Sequence, residues 1–299
     1  MDLSIIIVSF NTKELLKSCL NSVTEACKRF QTEVFVVDNN SSDGTVAMIN
    51  KDYPQVKLIA NKKNLGFSKA NNQALKLAKG KYVLILNPDT KLARNTISEM
   101  IKFMEEDSKI AVSTCRVELP NGQLDRDCRR HFPIPWRAFC HFSKLEKLFP
   151  HSKLFDQYYF GYLSPSTEHE IDSCVGAFMM VRQSIIKKVG LFDEDFFFYG
   201  EDLDWCLRFR EAGYKVMYTP RTKIIHYKGA ASGMKQTSQH LTKASIDSKK
   251  RALAESVRAM EIFYKKHYQV KYPFLINWVV LISLKILLRI RLLSLVNPL

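Results

Sequence analysis

The chain has 299 residues, of which 46% are hydrophobic and 25% charged, a composition that supports a sizeable core and excludes wholesale disorder. Its net charge of +15 is concentrated: from Arg221 to Leu299 there are fifteen Lys/Arg against three acids, a local net of +12. The seven Cys form no C-x-x-C pair, which excludes a zinc knuckle and a disulfide framework and fits reduced thiols in a cytosolic compartment.

The opening MDLSIIIVSF has an acid at position 2 and no basic stretch before its apolar run, so it reads as a strand, not a signal peptide. Residues 3–9 form a continuous Ile/Val run, as a strand buried on both faces requires. A helix is expected over 12–29, a strand over 33–37 ending at Asp38, a short helix over 43–50 and a strand over 56–60. Helix 67–79 follows, with Gly80 as its C-cap, then strand 82–86, helix 94–107 and strand 110–114. This alternation specifies βαβ units, hence an α/β fold with a mostly parallel, Rossmann-like sheet flanked by helices. In such sheets ligands bind beyond the carboxyl ends of the strands.

Residues 116–168 are rich in aromatics, His and Pro and lack periodicity, so loops and short helices over the sheet are expected. Order returns over 171–182, followed by helix 201–212 and strand 214–218. A basic helix is expected over 241–268. The run 274–288 is almost wholly apolar, is interrupted by Asn277, Ser283 and Lys285, and is followed by Arg289 and Arg291. It is short for a spanning helix and lies beside a polybasic stretch, which describes an interfacial or re-entrant anchor on anionic lipid; a buried C-terminal helix is the other reading.

Four constellations can carry chemistry. In VVDNNSSDG, Asp38 ends a strand before a turn leading into a helix, where a carboxylate can accept from a base or ribose and the helix N-terminus favours phosphate; the same residues also make ordinary turns and caps. In LILNPDT, Asp89 follows a buried strand and can hold Mg²⁺ or Mn²⁺ or simply cap a helix. FDEDFFFYGEDLDWCLR places six acids around an aromatic block, with Glu201 and Asp202 opening a helix as a general base or a plain acidic first turn. In HYKGAASG, His226 is a metal-ligand candidate once carboxylates stand nearby, although a lone His is more often structural.

Taken together, SIIIVSFN, VVDNNSSDGT, NKKNLGFSKANNQAL, YVLILNPDT, CVGAFMMVR, GLFDEDFFFYGEDLDWCLRFREAGY and IIHYKGAASG resemble family-2 glycosyltransferases of the GT-A fold, in particular the rhamnosyltransferase-like branch, over about residues 3–233. The resemblance implies a GT-A domain over 1–233, with 116–168 as an acceptor-side insertion; beyond it, the charge and apolar pattern itself reads as a helical basic extension over 234–299 whose 272–299 segment associates with membrane. The resemblance further implies nucleoside contacts at Asp38, Ser9 and Asn11, passage of nucleotide and sugar near Asn64, Gly66 and Asn71, and approach of Gly176 and Ala177 to sugar or acceptor. Asn87 and Asp89 occupy the metal-binding D-x-D place with Asn in the first position. His226 would be a further metal ligand, and Asp202, in its pair with Glu201, the catalytic base.

The activity the resemblance implies is inverting, metal-dependent transfer from a dTDP- or UDP-sugar to a glycan; the membrane reading of 272–299 adds a polyprenyl-linked glycan as acceptor and a place on the inner face of the plasma membrane, in cell-surface polysaccharide assembly. No nucleic-acid partner is expected, because the basic tail adjoins an apolar run rather than interleaved aromatics on a sheet. Two alternatives stay open at this point: a nucleotidyltransferase, although SIIIVSFNTKE has no Gly-rich phosphate loop, and a polyanion binder on an inactive glycosyltransferase-like fold.

Overall fold

A computed structural model describes residues 1–229 and 246–296. Ala230 to Gly233 of the small-residue loop, the 241–245 start of the expected basic helix and the last three residues of the expected membrane segment lie outside the described residues.

Four parallel strands, β1 (Leu3–Ser9), β2 (Thr32–Asp38), β3 (Lys57–Ala60) and β4 (Tyr82–Leu86), form one side of the sheet in the order β3-β2-β1-β4. Leu3, Ile5, Ile6 and Ile7 are fully buried, as their unbroken β-branched run demands. Helices α1 (Lys13–Cys27), α2 (Thr45–Asp52) and α3 (Phe67–Leu75) cross over between these strands. In α1, Leu16, Cys19, Leu20, Val23, Ala26 and Cys27 recur at helical spacing and form its buried face.

Beyond β4 the sheet is mixed. β5 (Thr90–Leu92), α4 (Thr96–Glu106), β6 (Ile110–Glu118), β7 (His169–Glu170), β8 (Phe178–Arg182) and β9 (Lys215–His226) complete the order β4-β8-β6-β9-β5, with β7 beside β9. β8 is antiparallel to both its neighbours, and only β6 and β9 are parallel in this half. β9 runs well past the expected 214–218 because a register shift lets Cys115 face Thr219 and Arg116 face Lys223. That bulge accommodates Pro220, which has no N–H to give the ladder. The resumed strand pairs with β5 and sets His226 opposite Thr90.

Helix α3 stops at Leu75, short of the expected Lys79. The cause is tertiary: the Lys79 N–H donates to Glu33 Oε1 (2.7 Å) and Ser4 Oγ (3.1 Å), and the Gly80 N–H to Ser4 Oγ (2.8 Å). Gly80 is not a C-cap but a close-approach residue, since a Cβ there would sit 2.4 Å from Ser4 N.

Residues 116–168 contain a short 3₁₀ turn at Arg126–Cys128, α5 (Pro135–Phe142) and α6 (Leu145–Leu148). After β8 come α7 (Gln183–Val189) and α8 (Glu201–Glu211), then α9 (Ile246–His267) and α10 (Phe274–Val296). α9 is part of the core: its Ala259, Phe263 and Tyr264 are buried there, as is Tyr268 just after it. Asp204 of α8, fully buried, meets His267 Nε2 at 2.8 Å, Lys266 Nζ at 2.6 Å and Arg208 Nε at 2.8 Å. Burial opposes its charge, but His267 and Lys266 outweigh that and hold its pKa at about 2. α9 thereby fixes the helix whose first residues are Glu201 and Asp202.

Candidate active site

The carboxyl ends of β1 and β2 form the first wall. Ser9 and Asp38 are register partners, both buried. Ser9 Oγ lies 2.9 Å from Thr12 Oγ1. Asp38 Oδ2 accepts from the Ser41 N–H at 2.9 Å, while Oδ1 is buried without a hydrogen-bond partner among the described residues. Asn11, at φ 53, braces the turn: its N–H donates to Ser41 Oγ (2.9 Å) and its Oδ1 accepts from the Ser42 N–H (2.8 Å).

Asn64, Gly66 and Asn71 serve a neighbouring junction. Asn64 Oδ1 accepts from the Gly66 N–H at 2.9 Å. Gly66 has φ +84, and a Cβ on it would lie 2.5 Å from Phe197 O, so only glycine lets this turn meet the aromatic acidic loop. The Phe67 N–H donates to Phe197 O at 2.7 Å. Asn71 donates to Phe67 O at 2.9 Å and keeps Oδ1 buried and unpartnered among the described residues.

The second wall is the end of β4. The Asn87 N–H donates to Ala177 O at 3.2 Å, and Gly176 packs against the Phe67 ring. Asp89 is 2% exposed, and its Oδ1 lies 3.3 Å from His226 Nε2. His226 Nδ1 lies 3.0 Å from Asp125 Oδ2. Burial works against a charge on His226, but Asp89 and Asp125 outweigh it and hold its pKa up at about 9. Lys228 reaches both Asp125 and Asp127.

Among the described residues no three of His, Cys, Asp and Glu converge as a complete cation cage. The set nevertheless fits a cation whose remaining ligands come from water and a diphosphate. Asp89 Oδ1 is a hard oxygen donor that forms no hydrogen bond among the described residues, His226 Nε2 is beside it, and Asp125 can hold the Nδ1–H; a cation would displace the Nε2 proton that the two carboxylates stabilise.

The third wall is the start of α8. Asp202 Oδ1 accepts from the Leu203 N–H (2.8 Å), and Oδ2 accepts from Arg130 Nη2 (2.6 Å). Arg130 also donates to Cys174 O (3.1 Å), and its Nε is buried without a partner among the described residues. Burial opposes its charge, but Asp202 outweighs that and the guanidinium stays protonated. Glu201 is 6% exposed, with Oε2 unpartnered among the described residues. Burial, then the Asp202 charge, pushes its pKa up to about 8.

The raised Glu201 pKa has a stability consequence. The native state keeps a proton that the unfolded carboxyl releases near 4.5, so stability is complete below that pH and declines as pH rises through about 8. Glu201→Gln is therefore expected to gain roughly 1–3 kcal/mol over the parent at about pH 9 and to match it near pH 4. Urea unfolding at both pH values measures this, and identical pH profiles for the two proteins would refute it.

Sequence reasoning missed Asp125 and Arg130. Both come from DRDCRR in the irregular segment, where Asp125 caps the 3₁₀ turn and Arg130 pairs backbone with Ser173. The only signal was charge alternation within an otherwise aromatic stretch. Their side chains join the walls: Asp89 to His226 to Asp125, then Lys228 and Asp127, with Arg130 leading to Asp202.

Comparison with known proteins bears on this arrangement. Residues 4–190 match the family described as Glycosyl transferase family 2. The chain is 26% identical over 250 residues to the N-acetylglucosaminyl-diphospho-decaprenol L-rhamnosyltransferase of Mycobacterium tuberculosis, covering 80% of each chain. It is 27% identical over 232 residues to the rhamnosyltransferase WbbL of Escherichia coli K12, covering 75% of this chain and 82% of the other. Among solved structures it superimposes on the mannosyltransferase PcManGT from Pyrobaculum calidifontis in complex with GDP-Man and Mn²⁺, with TM-score 0.54, 17% identity and coverage of 97% and 86%. That likeness concerns the fold, which is GT-A.

Proposed function

The chain belongs to glycosyl transferase family 2, and from that premise we propose that this glycosyltransferase moves a sugar, with inversion, from a nucleoside-diphosphate donor to a glycan hydroxyl in cell-surface polysaccharide assembly. The donor is a dTDP- or UDP-sugar, and the acceptor a glycan or a polyprenyl-diphosphate-linked glycan. The Mycobacterium tuberculosis relative, whose name specifies a diphospho-decaprenol acceptor, supports the lipid-linked class. The nucleotidyltransferase alternative falls with the family assignment, and the retained acid, base and histidine disfavour an inactive binder.

The observation that carries the reading is Asp89 Oδ1, buried without a hydrogen-bond partner among the described residues, 3.3 Å from His226 Nε2 at the carboxyl edge of the parallel strands. The His226 imidazolium offsets part of the cost of burying that carboxylate, and a bound cation would take over its role. Asp89 and His226 would hold Mg²⁺ or Mn²⁺, which when bound neutralises charge on the departing diphosphate. Asp38 and Ser9 receive the nucleoside, with Asn11 bracing the 41–42 turn and Asn64, Gly66 and Asn71 holding the adjoining wall. Asn87, Gly176 and Ala177 shape the sugar side. Asp202 accepts the proton of the attacking hydroxyl, and Glu201 beside it holds its own proton near neutrality. One base and one displacement invert the anomeric centre.

Among the described residues no helix is long and apolar enough to cross a membrane. α10 exposes Phe274, Leu275, Trp278, Val279, Ile286 and Ile290, with Lys285 and Arg289 among them. We place it flat on an anionic inner leaflet, which would bring a lipid-linked acceptor within reach.

The test is thermal stabilisation by nucleoside diphosphates and nucleotide sugars, with and without Mn²⁺ or Mg²⁺. One nucleoside class is expected to stabilise the protein only with metal, by about 2.7 kcal/mol at a hundredfold excess over Kd. A folded protein that responds to none of them would overturn the reading.

A further inference from the structure

The 116–168 insertion carries an apolar surface that the catalytic scheme does not use. On α5, Trp136, Phe139 and Phe142 recur every third residue and are 41%, 57% and 43% exposed, forming one stripe. Leu148, Phe149 and Leu154 are exposed as well, at 71%, 50% and 54%. The two groups are continuous. Phe155 lies 6.0 Å from the Trp136 ring and 4.8 Å from Phe149, and Trp136 Nε1 donates to Leu154 O at 3.0 Å. Single exposed apolar side chains are ordinary, whereas a contiguous aromatic patch held rigid by its own contacts marks an interaction surface.

The charge around this patch is one-sided. From residue 136 to 154 the exposed charged side chains are Lys144, Lys147 and Lys153. The acids of this region point inward: Glu146 and Asp156 are each 5% exposed and paired with Arg126 at 3.6 and 3.1 Å. An aromatic face rimmed by lysines alone complements an interface of acyl chains beneath anionic headgroups.

We infer that the α5–α6 face is a second membrane-docking surface, which inserts Trp136, Phe139, Phe142 and Phe149 at the headgroup level of an anionic bilayer. It deepens the reading of a membrane-linked acceptor but does not depend on α10. The same segment continues backward into the site: the His131 N–H donates to Tyr158 O, and Arg130, adjacent, holds Asp202. Docking this face would hold the acceptor side of the catalytic cleft against the leaflet where such acceptors reside.

The experiment is co-sedimentation of the full chain with phosphatidylcholine vesicles, with and without phosphatidylglycerol. The parent, the variant Trp136→Ser/Phe139→Ser/Phe142→Ser/Phe149→Ser and the α10 variant Trp278→Ser/Ile286→Ser are compared after their thermal melts are matched. The patch variant is expected to need roughly tenfold more anionic lipid for half-binding. A Trp278→Phe protein leaves Trp136 and the buried Trp205, and brominated lipid is expected to quench the Trp136 emission, a readout that disturbs nothing in the patch. Parent-like binding by the patch variant together with unquenched Trp136 overturns the inference. If the α10 variant alone loses binding, the α10 contact survives that failure. Dimerisation in the absence of lipid, abolished by the patch substitutions, would assign the face to a second copy instead.

Discussion

Asp202→Asn is expected to lower turnover by roughly 10³-fold or more while leaving donor affinity within about twofold. Asn at this position keeps one oxygen, enough for the Leu203 N–H at the start of α8, while its amide NH2 cannot accept from the Arg130 guanidinium as Asp202 Oδ2 does. What it loses is the ability to take a proton. The buried Arg130 also loses its partner charge, so the variant's melting temperature must be measured alongside. Steady-state kinetics and nucleotide titration separate the two effects: a folded variant with normal donor binding and collapsed kcat is the expected result. Turnover within tenfold of the parent would remove Asp202 from the base role and direct attention to Glu201, whose raised pKa and unpartnered Oε2 make it the nearest substitute.

Asp89→Ala is expected to act on binding. The metal-dependent part of nucleotide affinity should fall by roughly a hundredfold, with the metal-independent part retained at Asp38 and Ser9. Asp89 lies between two strands, β4 and β5, and its backbone oxygen accepts from the Tyr227 N–H at 2.8 Å. That backbone contact survives the substitution, so the loop should keep its path. Calorimetric titration of a nucleoside diphosphate with and without Mn²⁺ gives the answer, and an unchanged ratio of the two affinities would refute the metal assignment. Asn87, by contrast, uses its backbone to hold Ala177, so its side chain carries less of the expected loss.

The parallel half of the sheet was legible because its strands are buried on both faces. A run such as Leu3–Ser9 has no other stable placement, and the polar residues after it must lie at the ligand edge. The antiparallel half was less legible. β5 is three residues long, and β9 was legible only over its first residues, the expected strand 214–218; neither β5 nor β9 past Pro220 shows a local pattern, and the pairing of Thr90–Leu92 with Ile224–His226 makes them strands. The end of α3 was misjudged for a similar reason, since Ser4 and Glu33, remote in sequence, take the N–H groups that another helical turn would have used.

The site divides along the same line. Asp38, Asp89, His226, Glu201 and Asp202 could be named from sequence because each sits where a motif puts a polar residue at the end of a regular element. Sequence by itself determined the fold class, the family resemblance and these five candidates, since all of them depend on local periodicity and on residue type. Tertiary structure alone decided that Asp125 orients His226 and that Arg130 occupies Asp202. It also decided that α9 supports α8 through Asp204, and that α5 turns its aromatic rings outward. Those contacts join residues with no shared local pattern, and the folded backbone is what brings them within hydrogen-bond reach.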